Sequence, residues 1–278
     1  MRPFTWLAPD TTEEAVALLR EHGSGARVIA GGQSLLLAMK ERTVGPSHLV
    51  SLGGITGLAG VTTEPDGALV VGAATTYAAL TRAALRGWHG VLSDVAGDLA
   101  DRPVRNRGTI GGALCAADPR FDVPAFAVGV DAVLRISGAG GDRTLPAGEF
   151  LLGNGLTAIG QDEILTAVVL PPPATWDAVV FEKFRHRVFD AAIVSATCAL
   201  RRGSGATPAA VRVTVAGATA TPVVLAVDAG ATGVHAGEVA AASVLPDATD
   251  EATRYRRELV RTLVRRTVDR ARTQQGSA

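Results

Sequence analysis

Two paired-glycine segments carry the residue types and spacing that most clearly suggest chemistry. The first leads from a short apolar strand pattern into a helix pattern: Arg27-Val28-Ile29-Ala30-Gly31-Gly32-Gln33-Ser34. Adjacent glycines leave backbone N–H groups uncovered, and the next helix start adds positive charge, so such a turn can bind a pyrophosphate. Its spacing matches neither a Rossmann fingerprint nor a P-loop. Considered alone, the motif is more often a simple tight turn.

The second segment, Thr109-Ile110-Gly111-Gly112-Ala113, follows a short polar run that contains Arg105 and Arg107. We interpret residues 105–112 as a polar, glycine-rich loop. Two paired-glycine loops in one mixed fold can hold a dinucleotide from both sides. The alternative is two unrelated loops in a chain that contains 32 glycines.

Lys183 is a third candidate, because lysine is rare in this chain. The 27 basic residues include only two lysines, Lys40 and Lys183. Arginine serves almost wherever a generic cation suffices, so a retained lysine indicates a position that needs a compact ammonium group. A surface ion pair is the alternative interpretation.

Other classes of function are not supported by the composition. The 27 basic residues balance 27 acidic ones, and a neutral chain without a basic run argues against nucleic-acid binding. Cys115 and Cys198 are far apart and belong to no Cys-x-x-Cys pair, which argues against a zinc site or an iron–sulfur cluster on this chain. The five histidines are scattered, and no Gly-x-Ser-x-Gly elbow is present. We therefore predict no metal site and assign no catalytic residue.

The N-terminal residues and the apolar segments predict a cytoplasmic protein. The first residues contain no apolar core of a secretory signal. Gly, Pro or charged residues interrupt each apolar stretch before the roughly 20 residues that a membrane span requires.

Hydrophobic periodicity predicts the elements that must position these candidates. A small α/β unit opens the chain, with a helix over 12–22, a strand over 27–30, a helix from Leu35 and a strand over 48–52. There follow a hairpin over 60–72, a helix after the cap at Thr75 and Thr76, helices over 88–99 and 125–128, and strands over 132–136 and 163–170.

A triple proline, Pro171-Pro172-Pro173, is the strongest linker signal in the chain. After it we predict strands over 179–184, 194–201 and 211–217 and an arginine-rich helix over about 250–272. Acidic residues are mixed into that helix, so its arginines indicate a solvated face or a rim for a protein partner.

In combination, these motifs resemble the FAD-binding subunit of the molybdenum hydroxylases, the family of the carbon monoxide dehydrogenase medium subunit and the xanthine dehydrogenase FAD domain. The resemblance covers nearly the whole chain. It is carried by residues 30–35, 72–76, 105–112, 117–119 with Asp122 and Pro124, 162–165, the set Phe181, Lys183, Arg187 and Asp190, and Tyr255-Arg256.

The resemblance implies an α+β fold with a two-lobed FAD-binding domain of the vanillyl-alcohol-oxidase-like (PCMH) type. That domain would span 1–172, with lobes over about 1–54 and 55–172. A smaller α/β domain of the CO dehydrogenase flavoprotein type would span 176–278. By the same resemblance, residues 27–34 would wrap the FAD pyrophosphate and residues 109–113 would form a second clasp. Asp122 would bind the ribityl or pyrophosphate region, and Leu165 and Lys183 would line the flavin.

Three positions depart from the family pattern. Ala113 stands where Asn or Ser is frequent, so one side-chain hydrogen bond to FAD would be missing. Phe181 replaces a frequent tyrosine, and Ala191 replaces a larger apolar or aromatic residue. No histidine or cysteine is placed for a covalent link, so we expect non-covalent FAD.

The family resemblance also implies a place in an electron-transfer chain. A large subunit would hold the molybdopterin cofactor and a small subunit the 2Fe-2S clusters, and FAD on this chain would pass electrons to an external acceptor. Two other readings stay open: a stand-alone FAD-dependent oxidoreductase that acts on a small molecule, and an assembly subunit that has lost FAD.

Overall fold

The computed structural model describes residues 1–202 and 208–276 and begins with a small parallel sheet. The strand order is β1-β3-β2, and both strand pairings are parallel. The predicted opening α/β unit is therefore present. Its elements are β1 (Thr5–Leu7), α1 (Thr12–His22), β2 (Ala26–Ile29), α2 (Leu35–Lys40) and β3 (His48–Ser51).

Local sequence explains where helix α1 begins and ends. The Thr11 side chain accepts a hydrogen bond from the backbone N–H of Glu14, which satisfies one of the free donors of the first turn. Gly23, with a φ of 50°, ends the helix in a conformation that disfavours other residues. The chain can then turn directly into β2, which leads to the first paired-glycine segment.

A five-stranded antiparallel sheet forms the centre of the next region, in the order β4-β5-β10-β6-β7. The predicted hairpin over 60–72 corresponds to β4 and β5, which pair with each other. The elements of the region are β4 (Val61–Thr63), β5 (Leu69–Gly72), α3 (Tyr77–Leu80), α4 (Gly90–Gly97), α5 (Arg102–Arg107), α6 (Ile110–Ala116), α7 (Asp122–Gly129), β6 (Val133–Gly138), β7 (Gly141–Pro146), α8 (Ala147–Phe150), β8 (Leu151–Gly153), β9 (Leu156–Thr157) and β10 (Glu163–Leu170).

The interpretation of residues 105–112 as a loop is wrong, because all of them except Gly108 and Thr109 belong to helices α5 and α6. The Asp101 side chain accepts from the N–H of Val104 and caps α5, and the Thr109 side chain accepts from the N–H of Gly112 and caps α6. These caps satisfy free donors at each helix start and outweigh the low helix propensity of glycine. The second glycine pair is thus the first turn of a helix.

The C-terminal region is a four-stranded antiparallel sheet, in the order β11-β12-β13-β14, covered by two helices. The three predicted strands and the arginine-rich helix are present, while β14 and α9 were missed. Few large apolar side chains mark α9, so its periodicity is weak. The elements are β11 (Ala178–Phe184), β12 (Val194–Arg202), β13 (Pro208–Ala216), β14 (Val223–Ala226), α9 (Gly233–Val244) and α10 (Glu251–Gly276).

The triple proline is anchored to the preceding region. Trp88 donates its indole N–H to the Pro173 carbonyl at 3.1 Å, and His89 Nε2 lies 2.8 Å from the Pro171 carbonyl oxygen. Trp176 donates to the Val130 carbonyl at 3.1 Å. The segment therefore connects two regions that pack against each other, and the boundaries at 172 and 176 stay predictions.

Ion pairs neutralise several arginines on the outer side of α10. Arg261 pairs with Glu238 of α9 and with Glu258, and Arg266 and Arg270 pair with Glu182 of β11. Buried apolar residues form the inner side of the helix: Val260, Leu263, Val264, Val268 and Ala271. The arginine run therefore serves in part to dock α10 on its neighbours.

Close packing of α9 on α10 gives the first prediction. A Cβ at Gly237 would lie 2.5 Å from the Arg261 carbonyl oxygen, so Gly237→Ala must push the two helices apart. We expect the free energy of unfolding to fall by about 1–2 kcal/mol, because overpacking outweighs the gain in helix propensity. Urea denaturation followed by circular dichroism measures this change. Gly230→Ala is the matched control, since its Cβ would meet open space, and equal stability of both variants would contradict the prediction.

Candidate functional site

A large cleft opens beside the first paired-glycine segment and extends to α6 and β10. Its volume is about 760 Å³, within the range of pockets that hold small molecules and cofactors. Among the residues proposed from sequence, those that line the cleft are Arg27, Val28, Ile29, Ala30, Gly31, Gly32, Gln33, Ser34, Thr109, Gly111, Gly112, Ala113, Asp122 and Leu165.

Ile110 and Lys183 do not line this cleft in the described structure. Ile110, the first residue of α6, is buried in the core, with only 1% of its surface exposed. Lys183 lies behind the cleft wall, where its ammonium group contacts Asp122.

The turn between β2 and α2 offers free hydrogen-bond donors to the cleft. Within the described part of the chain, the backbone N–H groups of Gly31, Gly32, Gln33 and Ser34 make no hydrogen bond. Gly32 has a φ of 74°, a conformation that favours glycine. Neighbouring N–H groups of this kind form a site that favours an anion.

The N–H groups of the second glycine segment already donate to other protein groups, so they are not available to a ligand. Ile110 donates to the Thr75 carbonyl, Gly111 to the Ala73 carbonyl, and Gly112 to the Thr109 hydroxyl. A Cβ at Gly111 would lie 2.6 Å from the Ala73 Cβ. The donor turn thus faces a closely packed helix across the cleft, and a second clasp at residues 109–113 stays a prediction.

One backbone contact brings the two segments together. A Cβ at Gly31 would lie 1.9 Å from the Arg107 carbonyl oxygen, a distance that no real side chain tolerates. The close approach of α5 therefore requires glycine at position 31, independently of any ligand. The sequence pattern identified Gly31 but gave no indication of this partner.

A buried ion pair lies at the inner wall of the cleft. Asp122, the first residue of α7, accepts through Oδ2 from the ammonium group of Lys183 in β11. The exposed fractions of the two side chains are only 3% and 7%. Burial raises the pKa of Asp122, and the nearby Lys183 charge opposes this shift without cancelling it.

The second oxygen of Asp122 lacks a partner. Oδ1 is buried and accepts no hydrogen bond from any described residue. An unsatisfied buried acceptor is costly, and a donor from a bound ligand removes that cost. This oxygen is the clearest sign that the cleft wall is incomplete without a ligand.

Asp98 and Arg185 extend the ion pair toward solvent, and sequence reasoning missed both. Lys183 Nζ donates to the Asp98 carbonyl at 3.0 Å and lies 3.2 Å from Asp98 Oδ2. Arg185 donates to Asp98 Oδ1 at 2.6 Å and to its carbonyl at 2.8 Å. Arg185 was detectable in principle, because residues two apart in a strand share a face. Asp98 follows α4, and no local sequence pattern predicts that it contacts Lys183.

Tyr77 and Cys115 also line the cleft, and the sequence motifs did not assign either of them to the site. Burial, together with the Asp122 charge, raises the pKa of Tyr77 above its usual range. The Cys115 thiol is accessible in the cleft, and the protein atoms that surround it raise its pKa to about 12. Cys115 is therefore a neutral thiol near pH 7 and a weak nucleophile.

The described residues also bear on two other kinds of site, metal centres and membrane spans. No group of three His, Cys, Asp or Glu side chains there is arranged to hold a metal ion. None of the described helices combines the length and the apolar character of a bilayer-spanning segment.

Comparison with known proteins places this architecture. Residues 2–173 match the family described as FAD binding domain in molybdopterin dehydrogenase. The carbon monoxide dehydrogenase medium chain of Hydrogenophaga pseudoflava is 35% identical over 211 residues, which cover 76% of this chain and 73% of the relative. The 6-hydroxypseudooxynicotine dehydrogenase complex subunit alpha of Paenarthrobacter nicotinovorans is 30% identical over 285 residues, with 98% and 96% covered. Reconstituted CO dehydrogenase from Oligotropha carboxidovorans contains a chain that matches with a TM-score of 0.89 at 31% identity, with 99% of this chain and 100% of that chain covered.

The fold and its cleft define a flavin-binding oxidoreductase of mixed α+β structure. The chain belongs to the family of FAD-binding domains of molybdopterin dehydrogenases. The predicted family, the fold class, FAD as the cofactor and an FAD-dependent oxidoreductase are thereby confirmed.

The raised pKa of Asp122 predicts how pH affects stability. Between about pH 4, where an unfolded aspartate titrates, and the raised pKa, the folded chain holds a proton that the unfolded chain has released. The contribution of Asp122 to the free energy of unfolding therefore falls as pH rises through this window. Urea unfolding of the FAD-free chain at several pH values should lose this slope in Asp122→Asn.

Asp118 provides a control of opposite sign. Hydrogen bonds from Arg120 lower the pKa of Asp118, so its stabilisation is present above about pH 4 and is lost as pH falls. Asp118→Asn should change the free energy of unfolding only in the acidic part of the pH range. An unaltered slope in Asp122→Asn would show that Asp122 titrates alike in both states.

Proposed function

We propose that this chain binds FAD non-covalently in the cleft and serves as the electron-exit subunit of a molybdenum hydroxylase complex. It takes electrons from iron–sulfur clusters on another subunit and passes them to an external acceptor. The observation that carries the proposal is the pairing of two unsatisfied features in one cleft. Free N–H groups occupy one wall, and the unpartnered Asp122 oxygen lies at another.

These two features fit different parts of FAD. The N–H groups of residues 31–34 suit the pyrophosphate, because four neighbouring donors without protein partners line the cleft there. The Asp122 oxygen is an acceptor and suits a hydroxyl donor, which favours the ribityl chain over the pyrophosphate. Of the two contacts considered from sequence for Asp122, we therefore propose the ribityl contact.

The remaining residues bind and orient the cofactor. Leu165, which is 3% exposed, and Ala113 form an apolar part of the cleft wall. Lys183 acts one layer behind, where it fixes the Asp122 carboxyl and compensates its charge. FAD itself supplies the electron chemistry when bound. The neutral Cys115 thiol agrees with a cofactor held without a covalent bond.

The relatives suggest the partners. Their names describe a medium chain and a subunit of a dehydrogenase complex. We propose by this likeness that a large molybdopterin subunit and a small 2Fe-2S subunit assemble with this chain in the cytoplasm. The external acceptor then receives electrons at the flavin.

FAD titration of the cofactor-free chain tests the site. Gly31→Ala must displace α5 from the donor turn, because the new Cβ would meet the Arg107 carbonyl. We expect FAD affinity to fall by about tenfold or more, equivalent to at least about 1.4 kcal/mol. Gly140→Ala is the control, since its Cβ meets open space in the turn between β6 and β7. Wild-type affinity in Gly31→Ala would contradict the proposed site.

Purification of the tagged chain from its native host tests the assembly. We expect FAD to co-purify with molybdenum and iron in two further chains, because this chain would receive its electrons from them. Metal analysis and flavin absorbance of the same fractions measure this. FAD and substrate turnover in the chain alone would instead support the stand-alone oxidoreductase, and a colourless protein would support an assembly subunit without FAD.

A further inference from the structure

A second cleft lies behind the wall formed by Asp122 and Lys183. Its volume is about 410 Å³, and residues of α4, β11 and α10 line it. Asp122 lines the cofactor cleft, while Lys183 and Asp98 line the second cleft. The ion pair therefore forms part of the partition between the two spaces.

Three ionisable side chains cross this partition without a gap. Asp98 Oδ2 lies 3.2 Å from Lys183 Nζ, and the same nitrogen donates to Asp122 Oδ2. The exposed fraction of the side chain falls along the series, from 53% for Asp98 to 7% for Lys183 and 3% for Asp122. The series thus leads from solvent to the buried wall of the cofactor cleft.

We propose that Asp98, Lys183 and Asp122 form a proton path from the second cleft to the cofactor cleft. The inference rests on the proposed function. In that function, electrons reach the flavin from iron–sulfur clusters on another chain, and they arrive without protons. Reduction of a flavin by such electrons consumes protons, and these protons come from solvent. A continuous series of proton-holding groups meets that need.

Each transfer in the path exchanges one proton. Lys183 Nζ gives a proton to Asp122 Oδ2, and its N–H bond breaks as the O–H bond forms. Asp98 Oδ2, which takes up a proton from solvent, then gives that proton to Lys183 Nζ, and its O–H bond breaks as the N–H bond forms again. The net result moves one proton from solvent to the Asp122 carboxyl, and no electrons move within the path.

The electrostatics of the groups favour this direction. Partial burial raises the pKa of Asp98, but hydrogen bonds from Arg185 and Lys183 outweigh it and hold the pKa below its ordinary value. Burial raises the pKa of Asp122 in spite of Lys183, with Asp98, Arg185 and Tyr77 also facing it. A proton is therefore held more firmly at Asp122 than at Asp98.

Proton uptake by the FAD-loaded full chain tests the path. Flash photoreduction with a deazaflavin donor delivers electrons, and a pH-indicator dye in weakly buffered solution reports proton uptake. Asp98→Asn keeps the shape of the side chain but cannot carry a proton, so we expect uptake to slow by about 100-fold. FAD affinity should stay within about twofold, because Asp98 lies outside the cofactor cleft.

Asp94→Asn is the matched control, since Asp94 is an exposed carboxylate of the same cleft outside the series. We expect wild-type uptake in that variant. Lys183→Arg separates a charge from a proton carrier, because a guanidinium keeps the charge but does not release its proton. Slow uptake in Lys183→Arg would support the path.

Two results distinguish the path from the proposed function. Failure of the wild-type chain to bind FAD would overturn both. Normal FAD binding, with equal uptake rates in the wild type, Asp98→Asn and Asp94→Asn, would overturn the proton path alone. Full uptake in Lys183→Arg would likewise reduce Lys183 to a charge that positions Asp122.

Discussion

A buried ion pair between Asp122 and Lys183 is the interaction on which the arrangement of the site depends. Opposite charges removed from water are stable only when they stay paired, so α7 and β11 must keep their relative position. Helix α7 lines the large cleft, and β11 is the first strand of the C-terminal sheet. The pair therefore ties the site to the region that follows it, and Asp98 and Arg185 add the end of α4 to the same point.

The cleft also depends on how closely backbone segments approach each other. Gly31 allows the donor turn to lie against the end of α5, and Gly111 allows α6 to pack on the strand end at Ala73. Neither contact leaves space for a Cβ. The glycines of the cleft thus have two physical roles: Gly31 and Gly32 leave N–H donors free, and Gly31 and Gly111 allow backbone segments to pack closely.

Most elements of the fold were predictable because their apolar residues repeat at helical or strand spacing. The exceptions have local causes. Residues 105–112 form helix ends because the side chains of Asp101 and Thr109 supply the caps, which glycine content alone conceals. Helix α9 was missed because small residues such as Gly237 form its contact face, and they matter only when α10 lies against them. A pattern search detects hydrophobic repeats more readily than close packing.

The sequence by itself determined the class of site: the first glycine pair, the order of the motifs and the rarity of lysine all indicated a bound dinucleotide and a special role for Lys183. Only the tertiary structure decided what these residues contact. It placed Lys183 behind the cleft wall, used Gly111 for packing, and brought Asp98 from a distant position to Lys183 and Arg185. The physical reason is that burial, and with it the cost of an unpaired charge or an extra Cβ, arises only when separate segments meet.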